Sequence, residues 1–93
     1  MSPIEQTFEG LIHELDHLGA EPVRAGYYPE IFGNFIISFR LNGCEMSLVN
    51  ERFELFLCDK LGGDGDRRSI ARDIREQTPT QVRDVVRAAM RQH

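Results

Sequence analysis

No apolar run in this chain approaches the roughly 20 residues that a membrane span requires, and Met1 to Ile12 lacks the basic start and apolar stretch of a secretory signal. Internal repeats and low-complexity tracts are missing as well, which excludes a repeat architecture. Cysteine is scarce. Cys44 and Cys58 form no Cys-x-x-Cys and have no histidine close by in sequence, so free thiols in a reducing compartment are expected and a redox motif is not. What remains is a chain of 93 residues, 41% hydrophobic and 28% charged, the composition of one compact domain over residues 1–93. A chain of this size buries about two-thirds of its unfolded surface, enough for one modest core and too little for an elaborate enclosed active site. A soluble cytoplasmic protein of bacterial type is the expectation.

The net charge of −4 conceals a division along the chain. Residues 1–66 hold four basic and twelve acidic side chains, whereas residues 67–93 hold seven arginines and three acids. Such asymmetry either steers a charged partner or draws the two parts of the molecule together on folding.

Hydrophobic periodicity sets the elements. Ser2, Pro3 and Glu5 supply a cap, an N-terminal proline and a capping-box acid, and Ile4, Phe8, Leu11, Ile12, Leu15 and Leu18 form one stripe at the helical period, so residues 3–18 are read as a helix closed by Gly19. From Asn34 the period becomes two. Asn42-Gly43 predicts a two-residue hairpin turn that sets Phe39 opposite Met46 and Ile37 opposite Leu48, with Arg40 facing Glu45 and Ser38 facing Ser47 on the wet side. A second turn at Asn50-Glu51 would pair Leu48 with Phe53 and Met46 with Leu55. The resulting meander runs over 34–41, 44–49 and 52–59, with Val23 to Tyr28 as a possible fourth, edge strand between Pro22 and Pro29. Leu61 to Asp66 reads as a flexible acidic hinge, Ile70, Ala71 and Ile74 suggest a short helix over 67–77, and Thr78, Pro79 and Gln81 open a last helix carrying Val82, Val85, Val86, Ala89 and Met90. The expected fold class is α+β: an N-terminal helix packed on a three- to four-stranded antiparallel meander, followed by two C-terminal helices.

Several motifs carry possible chemistry. His13-Glu14-Leu15-Asp16-His17 resembles the H-E-x-x-H helix of zinc metalloproteases, a likeness that would make His13 and His17 ligands and Glu14 the general base. The stripe centred near Leu15 instead turns both histidines to solvent, Asp16 stands where that family usually has an uncharged residue, and the only other histidine is His93. No metal, no cofactor and no catalytic residue are therefore assigned. Gly62-Gly63-Asp64-Gly65-Asp66 looks like a calcium repeat or a phosphate loop, but it is a single copy and Asp66-Arg67-Arg68 follows where a phosphate loop has Gly-Lys-Ser or Gly-Lys-Thr. The sheet register puts Cys44 and Cys58 on opposite faces, too divergent to bridge.

Two likenesses concern nucleic acid. Ser69 to Met90, with Arg72, Arg75, Arg83, Arg87 and Arg91, resembles a helix-turn-helix in outline, and Gly63, Gly65 and Arg67-Arg68 resemble the loop before the basic helix of a double-stranded RNA-binding domain. A sequence pI near 5.3 opposes phosphate approach, and the arginine row can instead pair with Asp84 and the acidic part of the chain. A binding role without chemistry is the preferred reading: a module that masks another protein, a basic one among the candidates, one to one, of the immunity-protein or antitoxin kind. Its expected contacts are Glu5, Glu9 and Asp16 on the first helix with Tyr27, Tyr28 and Phe32 in the segment between Gly26 and Gly33. The alternative is a nucleic-acid-binding regulator using the C-terminal arginines. The second sheet face, with Ile36, Val49, Phe56 and Cys58, is either covered by the C-terminal helices or left as an apolar patch.

Overall fold

The structure, a computed structural model, describes residues 2–63 and 65–90. The elements are α1 (Pro3–His17), β1 (Glu21–Tyr28), β2 (Asn34–Leu41), β3 (Cys44–Glu51), β4 (Glu54–Cys58), β5 (Arg67–Ala71) and α2 (Pro79–Met90), with a kinked turn at Leu61–Gly63, whose two glycines hold positive φ, and a single 3₁₀ turn at Ile74–Glu76. The five strands form one antiparallel sheet in the order β1-β2-β3-β4-β5. Both long helices are capped as their sequences require. Ser2 Oγ accepts from the backbone N–H of Glu5 at 3.1 Å, while Thr78 and Gln81 exchange side-chain and backbone bonds at 2.8 and 3.1 Å.

The first hairpin has the expected register, Leu41 opposite Cys44 through Phe35 opposite Asn50, because Asn42 (φ 52°) and Gly43 (φ 80°) both accept the left-handed backbone of the turn. The second hairpin corrects the expected one. β3 continues to Glu51, the turn is Arg52-Phe53, and Leu48 faces Leu57 while Asn50 faces Leu55. Both turn residues hold positive φ, 50° and 73°, and contacts from elsewhere pin them. The backbone N–H of Arg52 donates to Asn34 Oδ1 at 2.9 Å, the Phe53 carbonyl accepts from Ile74, and the Arg75 guanidinium lies 4.5 Å from the Phe53 ring centre. Pairing slips by an even number of residues, so every side chain keeps its face.

Among the described residues the sheet has five strands where three or four were expected, and one long helix follows it where two were expected. Arg67–Ala71 pairs with β4, Leu55 facing Ala71 and Cys58 facing Arg67, in place of the helix read over 67–77. The exposed hydrogen-bonding edge of β4 gives that segment a partner for its whole length, which outweighs a helical pattern resting on Ile70, Ala71 and Ile74. The helix-turn-helix outline disappears with that helix.

α2 also lies elsewhere than over the second sheet face. It packs beside α1 on the first, so that Ile4, Phe8, Leu11 and Leu15 of α1 and Val82, Val86 and Ala89 of α2 share one core with Phe35, Phe39, Leu48 and Leu55. Burying each of the larger of these side chains contributes about 1.5–3 kcal/mol. The helices meet where α1 has no side chain: a Cβ on Gly10 would lie 2.8 Å from Cγ of Pro79. One turn along, Arg83 Nη1 donates to Glu14 Oε2 at 2.8 Å.

The second face is closed in part by the segment read as a hinge. Ser38 and Ser47, expected near water, are buried with their hydroxyls 2.8 Å apart. Ser47 donates to the Lys60 carbonyl, and the N–H of Gly62 donates to Ser38 Oγ. Gly63 rests on the sheet at φ 79°, where a Cβ would come 3.1 Å from Val49 Cγ2 and 3.3 Å from Ile36 Cδ1. Asp64 of that segment, Arg91 of the arginine row and His93 lie outside the described residues.

Candidate protein-binding surface

The connection from β1 to β2, Pro29 to Gly33, is built of two tight turns, with Ile31 N–H on the Tyr28 carbonyl and Asn34 N–H on the Ile31 carbonyl. Its base is held from below. Asn50, 1% exposed, donates from Nδ2 to the Gly33 carbonyl at 3.1 Å, and Gly33 packs against Ile4. The apolar side chains of the connection face outward: Ile31 is 49% exposed, Phe32 58% and Tyr28 38%. Phe32 takes φ 54°, a strained value for an aromatic residue, and the Arg52 guanidinium sits 5.5 Å from its ring centre. The loop thus holds exposed apolar groups on a fixed backbone instead of folding them away.

Beside this loop, on the second sheet face, is a groove of about 250 Å³ between Tyr28, Ile31, Ile36, Val49, Glu51 and Arg67. Arg67 forms its far wall, its guanidinium 5.6 Å from the centre of the Phe56 ring and its Nη1 2.8 Å from Glu51 Oε2. The patch expected from Ile36, Val49, Phe56 and Cys58 is therefore narrowed by Arg67 and by the 61–63 turn, and what stays open lies against the Tyr28–Phe32 loop.

The predicted contact residues divide. Phe32 stands in the exposed loop and Tyr28 is exposed at the end of β1 that leads into it, whereas Tyr27 turns inward, its ring stacked on Phe8 at 5.5 Å and its hydroxyl 3.1 Å from Ser2 Oγ. Tyr27 anchors α1 to β1. Glu9 and Asp16 are exposed on α1 and Glu5 is half-buried, all three on the opposite side of the sheet from the Ile36–Val49 groove. Ile31, which was not among the expected contacts, is exposed beside Phe32, and an Ile-Phe pair inside a connection bounded by Pro29 and Gly33 was a readable signal of that exposure.

His13 and His17 are exposed with ring centres 4.4 Å apart, as the helical stripe requires. Among the described residues no group of three or more His, Cys, Asp or Glu side chains converges as metal ligands. The Glu14 carboxylate, which the protease likeness would use as base, accepts from Arg83. Cys44 and Cys58 fall on opposite faces of the sheet and form no disulfide; Cys44 is half-buried and Cys58 buried. Four arginines of the C-terminal part are engaged with acids: Arg83 with Glu14 and Asp84, Arg87 with Asp84, Arg75 with Asp73 and Arg67 with Glu51. Hydrogen bonding to Asp84, and then to Glu14, raises the Arg83 pKa further above its ordinary value.

No helix among the described residues is long and apolar enough to cross a membrane. Searches against protein-family models, curated proteins and solved structures find no match to this chain.

Proposed function

We propose that this protein is a cytoplasmic protein-binding module that masks a partner one to one, in the manner of an immunity protein or antitoxin. The exposed Ile31 and Phe32 on a loop fixed by Asn50, Gly33 and Arg52 carry the reading. Apolar side chains held rigidly in water cost little further entropy on association, and aromatic groups of this kind anchor interfaces. The groove beside them gives a partner side chain somewhere to enter.

The test is native mass spectrometry of the tagged full chain after expression in its source cells. A single protein bound at one-to-one stoichiometry by wild type and by Arg72→Ala, and lost from Ile31→Ser/Phe32→Ser with an unchanged circular dichroism spectrum, supports the reading. Retention by the double variant, or co-purification of duplex nucleic acid displaced by salt, overturns it.

A further inference from the structure

The two edges of the sheet differ. β5 begins with Arg67-Arg68 and is bulged, with Ser69 hydrogen-bonded to Glu54. β1 is bulged only at Val23, and beyond it Arg24 to Tyr28 presents its outer backbone without a paired strand among the described residues. Edges of this kind are templates for another strand.

A trough runs beside that edge on the helix side. Tyr27 packs on α1 near one end of β1, but opposite Phe39 and Ile37 of β2 the strand carries only the small side chains of Pro22 and Ala25, both exposed. The result is a groove of about 370 Å³ floored by Leu15, Ile37 and Phe39. Its helix wall carries Glu9, His13 and Asp16, with Glu5 one turn earlier on the same flank, and Arg24 of β1 is the one cation that lines it among the described residues, so acids outnumber it there. Among the described residues none of the three acids stands in an ion pair.

We propose that β1 accepts an extended segment of a partner protein as a sixth strand, with alternate side chains, apolar and basic in turn, directed into this groove. A strand added to β1 lies about 4.8 Å away and places every second side chain on the Pro22–Ala25 face. A valine there covers the open floor. An arginine lays its methylene stem along the trough and brings its guanidinium to Glu9 or Asp16. Charge selects this occupant over a second copy of the chain, because twofold pairing of β1 with β1 would set two acidic α1 flanks against each other. The surface is separate from the Tyr28–Phe32 loop, and Tyr28 turns away from it across Gly26.

The probe is a fluorescein-labelled peptide, Thr-Val-Thr-Arg-Thr-Val-Thr-Arg-Thr, titrated into the full chain by anisotropy, with amide hydrogen exchange read on the complex. Slowed exchange in Arg24–Tyr28 and unchanged exchange in Arg67–Ala71 are expected. Glu9→Lys/Asp16→Lys should weaken binding by about tenfold or more, as the loss and reversal of two rim charges implies. Methylation of alternate peptide amides should abolish binding at constant charge, and Ile31→Ser/Phe32→Ser should leave it unchanged. Absence of binding at millimolar peptide, protection at β5 instead, equal affinity of the methylated peptide, or a dimer of the free chain protected at β1 would each overturn the proposal while leaving the loop reading standing.

Discussion

Gly10→Ala separates two opposed effects at the contact that joins the helices. On an exposed helix the change would stabilise by about 1 kcal/mol, because alanine loses less backbone freedom than glycine. Here the new Cβ would lie 2.8 Å from Cγ and 3.3 Å from Cβ of Pro79. Forcing a methyl group into a closed contact costs about 1–3 kcal/mol. The obstructing atom belongs to the ring of the first residue of α2, a helix held by the Thr78–Gln81 cap and the Arg83–Glu14 bond, so it yields only if α2 shifts. The steric cost therefore prevails, and Gly10→Ala should destabilise by about 1 kcal/mol. Pro79→Ala removes the obstructing Cγ and leaves only the 3.3 Å contact with Cβ, so in that background Gly10→Ala should no longer destabilise, giving a coupling of about 1–2 kcal/mol in the double-mutant cycle. Urea unfolding followed by circular dichroism measures all four proteins. A raised midpoint for Gly10→Ala alone, or additivity around the cycle, would refute the packing of α2 beside α1 that the whole arrangement of faces depends on.

Asp73 caps the 3₁₀ turn at Ile74–Glu76, and side-chain hydrogen bonds from Arg75, with its backbone N–H, hold the Asp73 carboxyl at about 2 instead of 3.8. A depressed folded-state value stabilises fully above the ordinary carboxylate range and less as pH falls, so this contribution should vanish between about pH 4 and pH 2. Asp73→Asn should flatten the acid limb of an unfolding titration in that window, and an unaltered limb would count against the capping bond. Asn50→Asp places a carboxylate at a position 1% exposed, beside the Gly33 carbonyl, and should cost about 3 kcal/mol or more in urea unfolding near neutral pH. Glu14→Gln and Arg83→Gln should each lower the urea midpoint, and the double variant should lose less than their sum because the two partners share one bond. Equal and fully additive losses would show that the pair does not couple α1 to α2.

The sequence was legible where one local signal sufficed. Asn42-Gly43 accepts a left-handed turn without help and set the register of the first hairpin to the residue; the stripe from Ile4 to Leu15 with its Ser2 cap located α1 to within one residue, Leu18 serving as its C-terminal cap. Arg52-Phe53 takes the same turn shape with residues that disfavour it, held there by Asn34, Ile74 and Arg75 from distant parts of the chain, so nothing local marks the turn. The faces survived the misplaced turn because the slip was even. Strand β5 was illegible for a related reason: the backbone groups that recruit Arg67–Ala71 lie in β4, and a five-residue strand carries too short a pattern to compete with helical spacing. Of the residues expected as contacts, Phe32 and Tyr28 are exposed, as a Pro- and Gly-bounded aromatic segment suggests. The inward turn of Tyr27 depends on Phe8, a partner only the fold supplies.

The charge division along the chain acquires a definite use from these placements. Arg67 and Arg83, both from the basic part, bond Glu51 and Glu14 of the acidic part, so a share of the asymmetry is spent inside the molecule, drawing β5 and α2 to their neighbours. The acids left over are not scattered. Glu5, Glu9 and Asp16 lie along the α1 flank that borders the β1 groove, while the exposed apolar side chains Ile31 and Phe32 project from the far end of the same strand's connection to β2. Recognition would then join a salt-sensitive steering surface to a salt-insensitive apolar anchor. Raising ionic strength from about 0.05 to 0.5 M should slow association with a basic partner severalfold while leaving its dissociation rate nearly constant. Stopped-flow measurement of both rates decides the matter, since an association rate indifferent to salt would remove the acidic flank from recognition and leave the aromatic loop to act alone.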